Sequence, residues 1–392
     1  MNPCALGWDN HRKFSKVSLM EQTPEGEIRA VERARLDHHD KQAMRVWLSR
    51  LDPEIPVALE ASFGWPWVAD LLEELGHPVH LAHPPVVRAL AKHEAKTDRC
   101  DSDRLGKFQL RGILPHSYLA PPEVRQRRER TRYRMALSAL RTAVKNRAQA
   151  ILHNHGILHD FSDLFGKAGR RFLDDLPLPD GSRQALKGCL RLLDKVLVLM
   201  REVEEWMIDN LEEDDIVRLL MTIPGVGLIL AHVIRAEIGE IERFPTFRHL
   251  ASYAGLAPMS DDTAGREGPR HCSAACNRVL RWAFIEAVHG VQHTKGPHGF
   301  RLRQRYARLC GQGRPKGCKS SAKVAVAHEL AKLVHVMWTK RVPYTDTPPP
   351  RPGSRARQPE LKESLAAQTA LRSDQPCHPM VRRRETVGQT RS

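Results

Sequence analysis

Asp98 and Asp101 stand one helical turn apart in "AKTDRCDSDRLGKF", residues 95–108, in a chain whose acids are outnumbered by its bases. Residues three apart on a helix share a face, so the two carboxylates can converge on one metal-sized space. Asp9, in "GWDNHRKFSKVSL", lies at the start of the first strand-like region, and Glu60 lies at the end of another, "PVALEAS". If those strands are neighbours in one sheet, their ends bring both acids to the helix that carries the aspartates. Four carboxylates packed together repel unless cations neutralise them, and hard oxygen donors with open water positions suit Mg²⁺ or Mn²⁺. Two such ions can activate a nucleophile and stabilise the leaving oxygen of a phosphodiester. Spacing alone also allows a plainer arrangement, with Asp98 paired to Arg99 or Lys96 and Glu60 facing water.

The elements that must position these acids read as an α/β pattern. "KVSLM" (16–20), "PVALEAS" (56–62) and "PVHLAH" (78–83) read as strands, and "GWPWVADLLEEL" (64–75) as an amphipathic helix closed by Gly76. Strand ends in such a sheet are the usual place for chemistry. From Pro121 to about His155 the pattern becomes one long basic helix, with Tyr133, Leu137, Leu140, Val144, Ala148 and Ile151 as its apolar seam. Nine Arg/Lys against two Glu between Glu123 and His153 make its outer face positive, suited to a solvated surface or to nucleic acid. After "DDLPLPDGS" (174–182), a second helix repeats Leu186, Leu190, Leu193, Leu197, Met200, Val203 and Met207. Two such seams fit an antiparallel pair or a coiled coil between protomers. Further on, "PGVG" (224–227) between apolar helices resembles a helix-hairpin-helix turn, whose glycines permit close backbone approach and whose next helix can present amides to a phosphate.

Composition bounds the partner. The chain has 392 residues, 62 Lys+Arg against 46 Asp+Glu, and a net charge of +16. That length allows two or three domains, and that charge expects a polyanion. No apolar run reaches the roughly 18 to 20 residues of a transmembrane helix, and "MNPCALGWDNHRK" lacks the pattern of a signal peptide. No membrane partner is expected, and the eight scattered cysteines fit reduced thiols in a cytosol. His271, Cys272 and Cys276 invite a zinc reading, which no second half-site supports. Beyond Thr345, "TPPPRPGSRARQPE" and the remainder are poor in large apolar residues and read as a disordered tail.

"GWDNHRKFSKVSL", "VALEAS", "HPVHLAHPPVVRALA" and "KTDRCDSDRLGKF", in this order, resemble the RuvC-like domain of the DEDD insertion-sequence transposases, the family of the pilin-gene invertase and the bridge-RNA-guided recombinases. The likeness continues through "YAGLAP" (253–258) and "NRVLRWAFIEAV" (277–288) into "AKVAVAHELAKLVHVMW", and spans about residues 5–344. It implies a RuvC-like (RNase H-like) α/β domain over 1–118, a helical coiled-coil segment over 119–213, and a mostly α-helical transposase domain over 214–345. The tail at 346–392 stands outside it. The family's four carboxylates fall on Asp9, Glu60, Asp98 and Asp101, which would hold Mg²⁺ or Mn²⁺. The implied partners are DNA at the element ends and target, a structured guide RNA, and further copies of the chain as a dimer or tetramer. The implied setting is the bacterial cytosol, at the nucleoid.

The resemblance also implies a serine, five residues after the proline of the Gly-Leu-x-Pro motif, that attacks DNA and becomes joined to it. Here that proline is Pro258 and the position holds Thr263, with Leu280 and Arg281 fixing the register on the far side. Threonine keeps the hydroxyl but adds a methyl on the same carbon, which restricts its rotamers and crowds an in-line attack. Three readings stand: Thr263 is the nucleophile, Ser260 or Ser273 substitutes for it, or this copy has changed role. A second departure puts Ser102 where the family usually has alanine. The enzyme alternative is a RuvC-like nuclease that uses water, and the non-enzyme alternative is a nucleic-acid-binding copy without catalysis. No phosphate-binding P-loop is present, and transesterification needs none.

Overall fold

The computed structural model describes residues 2–91, 98–260, 270–272, 275–295, 298–311 and 318–346, giving the backbone alone at 98–100, 259–260, 270–272 and 318. It divides into two units, Met1–Pro121 and Pro122–Ser392.

In the first unit, β1 (Cys4–Asn10) is buried from Ala5 onward because it lies at the centre of a five-stranded sheet. β2 (Phe14–Gln22) and β3 (Ile28–Asp37) continue antiparallel on one side of it. After α1 (Lys41–Leu48), capped by the Asp40 carboxylate at Ala43 N, β4 (Val57–Glu60) pairs parallel to β1 on its other side. α2 (Trp65–Glu74) crosses to β5 (Val79–Ala82), parallel to β4, giving the order β3-β2-β1-β4-β5. α3 (Pro84–Leu90) and α4 (Asp98–Leu110) complete the unit. This mixed sheet with helices is compatible with a RuvC-like domain.

Side-chain alternation sorts the two faces of the sheet. Leu6, Trp8, Val17, Val57, Leu59 and Leu81 pack with Met44 and Leu48 of α1 and Val68 and Leu72 of α2. Ala58 and Ala82 point the other way, toward Leu105 and Phe108 of α4. Asp9 belongs to β1 itself, near the strand's end, rather than to the start of the strand expected at 16–20.

The second unit begins with α5 (Pro122–Asn154), 33 residues long. α6 (Lys167–Asp174) leads to α7 (Asp180–Asp209), which lies antiparallel against α5. Leu137 at the middle of α5 meets Val196 and Met200, while Ala148 and Leu152 near its end meet Leu186 and Leu190. The pair therefore forms within one chain. Tyr133 and Leu140, expected on the buried seam of α5, are exposed; Thr131 and Arg134 are buried instead, Arg134 held by Glu204 of α7.

α8 (Asp215–Met221), α9 (Leu228–Ile238), α10 (Phe247–Tyr253), α11 (Arg278–His293), α12 (Phe300–Leu309) and α13 (Cys318–Lys340) follow, with a short ribbon of β6 (Pro258–Ser260) and β7 (Arg270–Cys272) between α10 and α11. Their shared core includes Leu220, Ile234, Phe284, Val288, Leu330 and Val334. Gly225 of the "PGVG" turn sits in left-handed conformation (φ 82°), and a Cβ there would lie 2.5 Å from Val291 N and 2.8 Å from the carbonyl carbon of Gly290. The close approach expected of this turn is thus made to α11. The tail beyond Asp346 lies outside the described residues.

Candidate active site

Asp9 and Glu60 come together because β1 and β4 are parallel neighbours. The register Gly7↔Ala58, Trp8↔Leu59 carries forward to set the two acids side by side at the strands' C-terminal ends. Both point to the face that α4 covers. α4 lies unusually close to the sheet: a Cβ added at Gly7 would run into the backbone carbonyl of Ser102 and stop 2.7 Å from Gly106 N. That approach brings the first turns of α4, with Asp98 and Asp101, down to the strand ends. Ser102, buried, hydrogen-bonds Ser18 of β2 at 2.8 Å, and Arg33 of β3 grips Asp103 with two bonds of 3.0 and 2.6 Å. The departure at Ser102 is therefore answered by a hydroxyl opposite.

The electrostatics report the same convergence. Burial pushes the Glu60 carboxyl above its ordinary range, and the neighbouring carboxylates of Asp9 and Asp101 push it further; Arg88 and His11 oppose them. Asp9 is 6% exposed with its carboxylate 3.0 Å from His11 Nε2, while Asp101 is held by Arg104 at 2.6 Å. Among the described residues, no three His, Cys, Asp or Glu side chains form a metal-holding group; the Asp98 side chain lies outside them. A half-buried glutamate raised by two facing carboxylates is nevertheless a site short of positive charge, and its all-oxygen donors suit a hard divalent cation.

A network behind the acids fixes the strand ends. Trp8 Nε1 donates to Ser15 Oγ at 2.8 Å, Ser15 donates to Asn10 Oδ1 at 2.9 Å, and Asn10 Nδ2 donates to the Phe63 carbonyl at 2.8 Å. Ser62 returns a bond of 3.3 Å to the Asn10 carbonyl. The loop after Glu60 is thereby tied to the residue after Asp9, and it leaves the Phe63 ring 81% exposed.

Comparison with known proteins then decides the family. A family model for DEDD-type transposases, described as "Transposase", matches residues 6–157, the region that holds all four acids. A second, described as "Transposase IS116/IS110/IS902 family", matches residues 217–304. Together they span more than half of the chain. The chain belongs to this transposase family. It is similar to a probable family 20 transposase of Pseudomonas aeruginosa, 24% identical over 79% of this chain and 94% of that protein. It is also similar to the transposase for insertion sequence element IS1328 of Yersinia enterocolitica, 24% identical over 60% of this chain and 70% of the relative. A third relative, the transposase for insertion sequence element IS1111A of Coxiella burnetii, is 23% identical over 69% of this chain and 74% of its own length.

In this transposase, Thr263 and Ser273 lie outside the described residues, and Ser260 is described in backbone alone, ending β6. The ribbon that leads into and out of residues 261–269 pairs Pro258 with Cys272, Met259 with His271, and Ser260 with Arg270. The zinc reading falls on side chains outside the described set, except Cys276, which is a free thiol.

Two features of the second unit escape the sequence reading. One is Glu237, in the apolar run "LILAHVIRAEI" of α9, fully buried at 0% exposure and bonded to Arg132 of α5 and Asn277. A lone acid among apolar helix positions was its only signal. The other is a groove of about 380 Å³ between α12 and α13. Arg301, Arg305, Arg308 and Lys332 rim it, with Glu329 as the acid among its lining residues and Leu302, Leu333 and Met337 beneath. Burial and the charges of Arg305 and Lys332 hold the neighbouring His328 below its ordinary pKa, with Glu329 opposing. Among the described residues, no helix is long and apolar enough to cross a membrane.

Proposed function

We propose that this transposase cuts and rejoins DNA at the ends of an insertion sequence through a covalent threonine-linked intermediate. The observation that carries the reading is the convergence of Asp9, Glu60 and Asp101 on one sheet face under α4. Asp9, Glu60, Asp98 and Asp101 would hold Mg²⁺ or Mn²⁺, which when bound supplies positive charge to a phosphodiester and its leaving oxygen. His11 and Arg104 hold the carboxylates of Asp9 and Asp101 in place until then.

In this reading the Thr263 hydroxyl attacks phosphorus, its oxygen forming the new P–O bond as its proton passes to solvent. One deoxyribose oxygen leaves with the bonding pair and takes up a proton as a free hydroxyl. The phosphodiester energy is kept in the threonine link, so a strand hydroxyl can reverse the step on a new partner without ATP. The arginine-rimmed groove of α12 and α13 meets the DNA backbone, where Arg305 and Arg308 supply charge-assisted bonds to phosphate. The basic face of α5 serves a second nucleic acid, a guide RNA encoded by the element, and the protein works as a dimer or tetramer in the cytosol.

The test is a denaturing gel of the protein with its flanking element DNA, the flanking transcript and Mg²⁺. Wild type is expected to give a protein–DNA adduct that Thr263→Ala removes and Thr263→Ser keeps. Cleavage without any adduct would turn the reading to a water-using nuclease, and binding without cleavage to a non-catalytic copy.

A further inference from the structure

Glu237 is an expensive residue to bury. A carboxylate at 0% exposure is tolerated only when its oxygens are occupied, and here each is. Arg132 of α5 approaches as a fork, Nε on Oε1 at 2.8 Å and Nη2 on Oε2 at 2.9 Å. Asn277 adds a bond from Nδ2 to Oε2 at 2.7 Å, and Arg128 Nε stands 3.8 Å from the same oxygen. Arg128 also donates to the carbonyls of Ala236 and Glu237, at 3.0 and 2.9 Å, closing the end of α9.

Asn277 has no hydrogen-bonding capacity to spare on its amide nitrogen. Its two N–H groups go to Glu237 and to the Tyr253 hydroxyl at 3.0 Å, and its Oδ1 caps α11 by accepting from Leu280 N at 3.0 Å. Its backbone N–H bonds the Tyr253 carbonyl at 2.8 Å. Tyr253 ends α10 just before β6, and Asn277 precedes α11 just after β7. The chain entering the ribbon and the chain leaving it are thus locked together at its base, and the lock is bolted through Glu237 to a half-exposed arginine of the long basic helix.

We propose that Glu237, Arg132 and Asn277 are positioning residues for strand transfer, fixing the base of the β6–β7 ribbon so that the hydroxyl it delivers reaches phosphorus in line. The inference rests on the reading of Thr263 as nucleophile. Buried ion pairs contribute little net stability compared with an apolar substitute of similar shape, so stability alone gives no reason for this cluster. Fixed orientation does, because a displacement of about 1 Å at a reacting group can cost on the order of 100-fold in rate.

The experiment compares wild type, Glu237→Gln, and the double variant Glu237→Met with Arg132→Met, which removes both charges of the pair and puts apolar side chains in their place. Single-turnover adduct formation, DNA affinity and Tm are measured for each. Glu237→Gln is expected to slow adduct formation by about 100-fold with DNA affinity within about twofold of wild type. The double variant is expected to remain slow even where its Tm equals or exceeds that of wild type. A double variant that folds and reacts at the wild-type rate overturns the proposal and makes the cluster structural only. If wild type itself forms no adduct, the Thr263 reading has failed, and hydrogen exchange at 258–260 and 270–272 decides the clamp separately. Exchange about tenfold faster in Glu237→Gln supports it, and unchanged exchange overturns it.

Discussion

Replacing Gly7 by alanine should dismantle the carboxylate site without touching a carboxylate. The new methyl has no free space: on one side is the Ser102 carbonyl, on the other Gly106 N at 2.7 Å, and both are helix backbone. Overpacking costs about 1–3 kcal/mol where side chains can move aside; here α4 must lift as a body, so the upper end applies, about 3 kcal/mol. For a unit of this size, about 4 °C of melting temperature per kcal/mol gives a fall of about 12 °C. Gly26→Ala is the control. Its φ of 88° makes it strained, yet nothing lies within 4 Å of the new methyl, so it should cost about 1–2 kcal/mol and leave the site intact. Differential scanning fluorimetry with and without Mg²⁺, followed by the cleavage gel, reads both effects. Gly7→Ala should melt far earlier, lose its Mg²⁺-dependent shift and stop cleaving, while Gly26→Ala keeps the last two. A Gly7→Ala protein that melts within 2–3 °C of wild type and still cleaves would refute the argument that this close approach assembles the site.

Three other outcomes are expected. Glu60→Gln, by removing repulsion from Asp9 and Asp101, should raise the melting temperature of the metal-free protein by a few degrees and abolish its response to Mg²⁺; a lowered Tm or a persisting response would contradict the cause assigned to the raised Glu60 pKa. Arg305→Gln with Arg308→Gln should flatten the dependence of log K on log salt by about 1.8 for duplex DNA, or about 1.4 for single-stranded RNA, and an unchanged slope would clear the groove of phosphate contact. Burial holds the His232 pKa down, its ring bonded to the Met207 carbonyl at 3.0 Å, so the fold keeps the neutral form. Its contribution to stability is present above about pH 6.5 and is lost as pH falls through the lowered folded value. His232→Gln should therefore shrink the drop in Tm between pH 7.5 and 5.5, and an equal drop in both proteins would count against that account.

Much of the first unit was legible because its elements are punctuated. Pro56, Gly64, Gly76 and Pro78 bracket β4, α2 and β5, and the three-residue spacing of Asp98 and Asp101 suits the helix that carries them. β3 was not legible. "IRAVERARLD" is rich in Arg, Glu and Ala, which favour helix, and only pairing with β2 makes it extended. β1 was half legible, since "CALGWDN" lacks β-branched residues and owes its conformation to burial between two strands. The α5 seam was misread at two positions for another reason: Arg134 and Thr131 turn inward because α7 offers Glu204 and α5 its own carbonyls, partners that no periodicity reveals. The same blindness hid Glu237, whose three donors come from Arg132 and Asn277, far away in sequence.

The parallel pairing of β1 with β4 has a consequence for the order of events on the ribosome. Asp9 is made early, but the register that sets Glu60 beside it cannot close until α1 and β4 have emerged, and Asp101 arrives only when α4 can settle on Gly7. Each closure spans a long stretch of chain, the slow kind of contact in folding. On the proposed reading, a chain that stops short of α4 carries Asp9 and Glu60 without Asp98 and Asp101, half of the acids that would hold the metal.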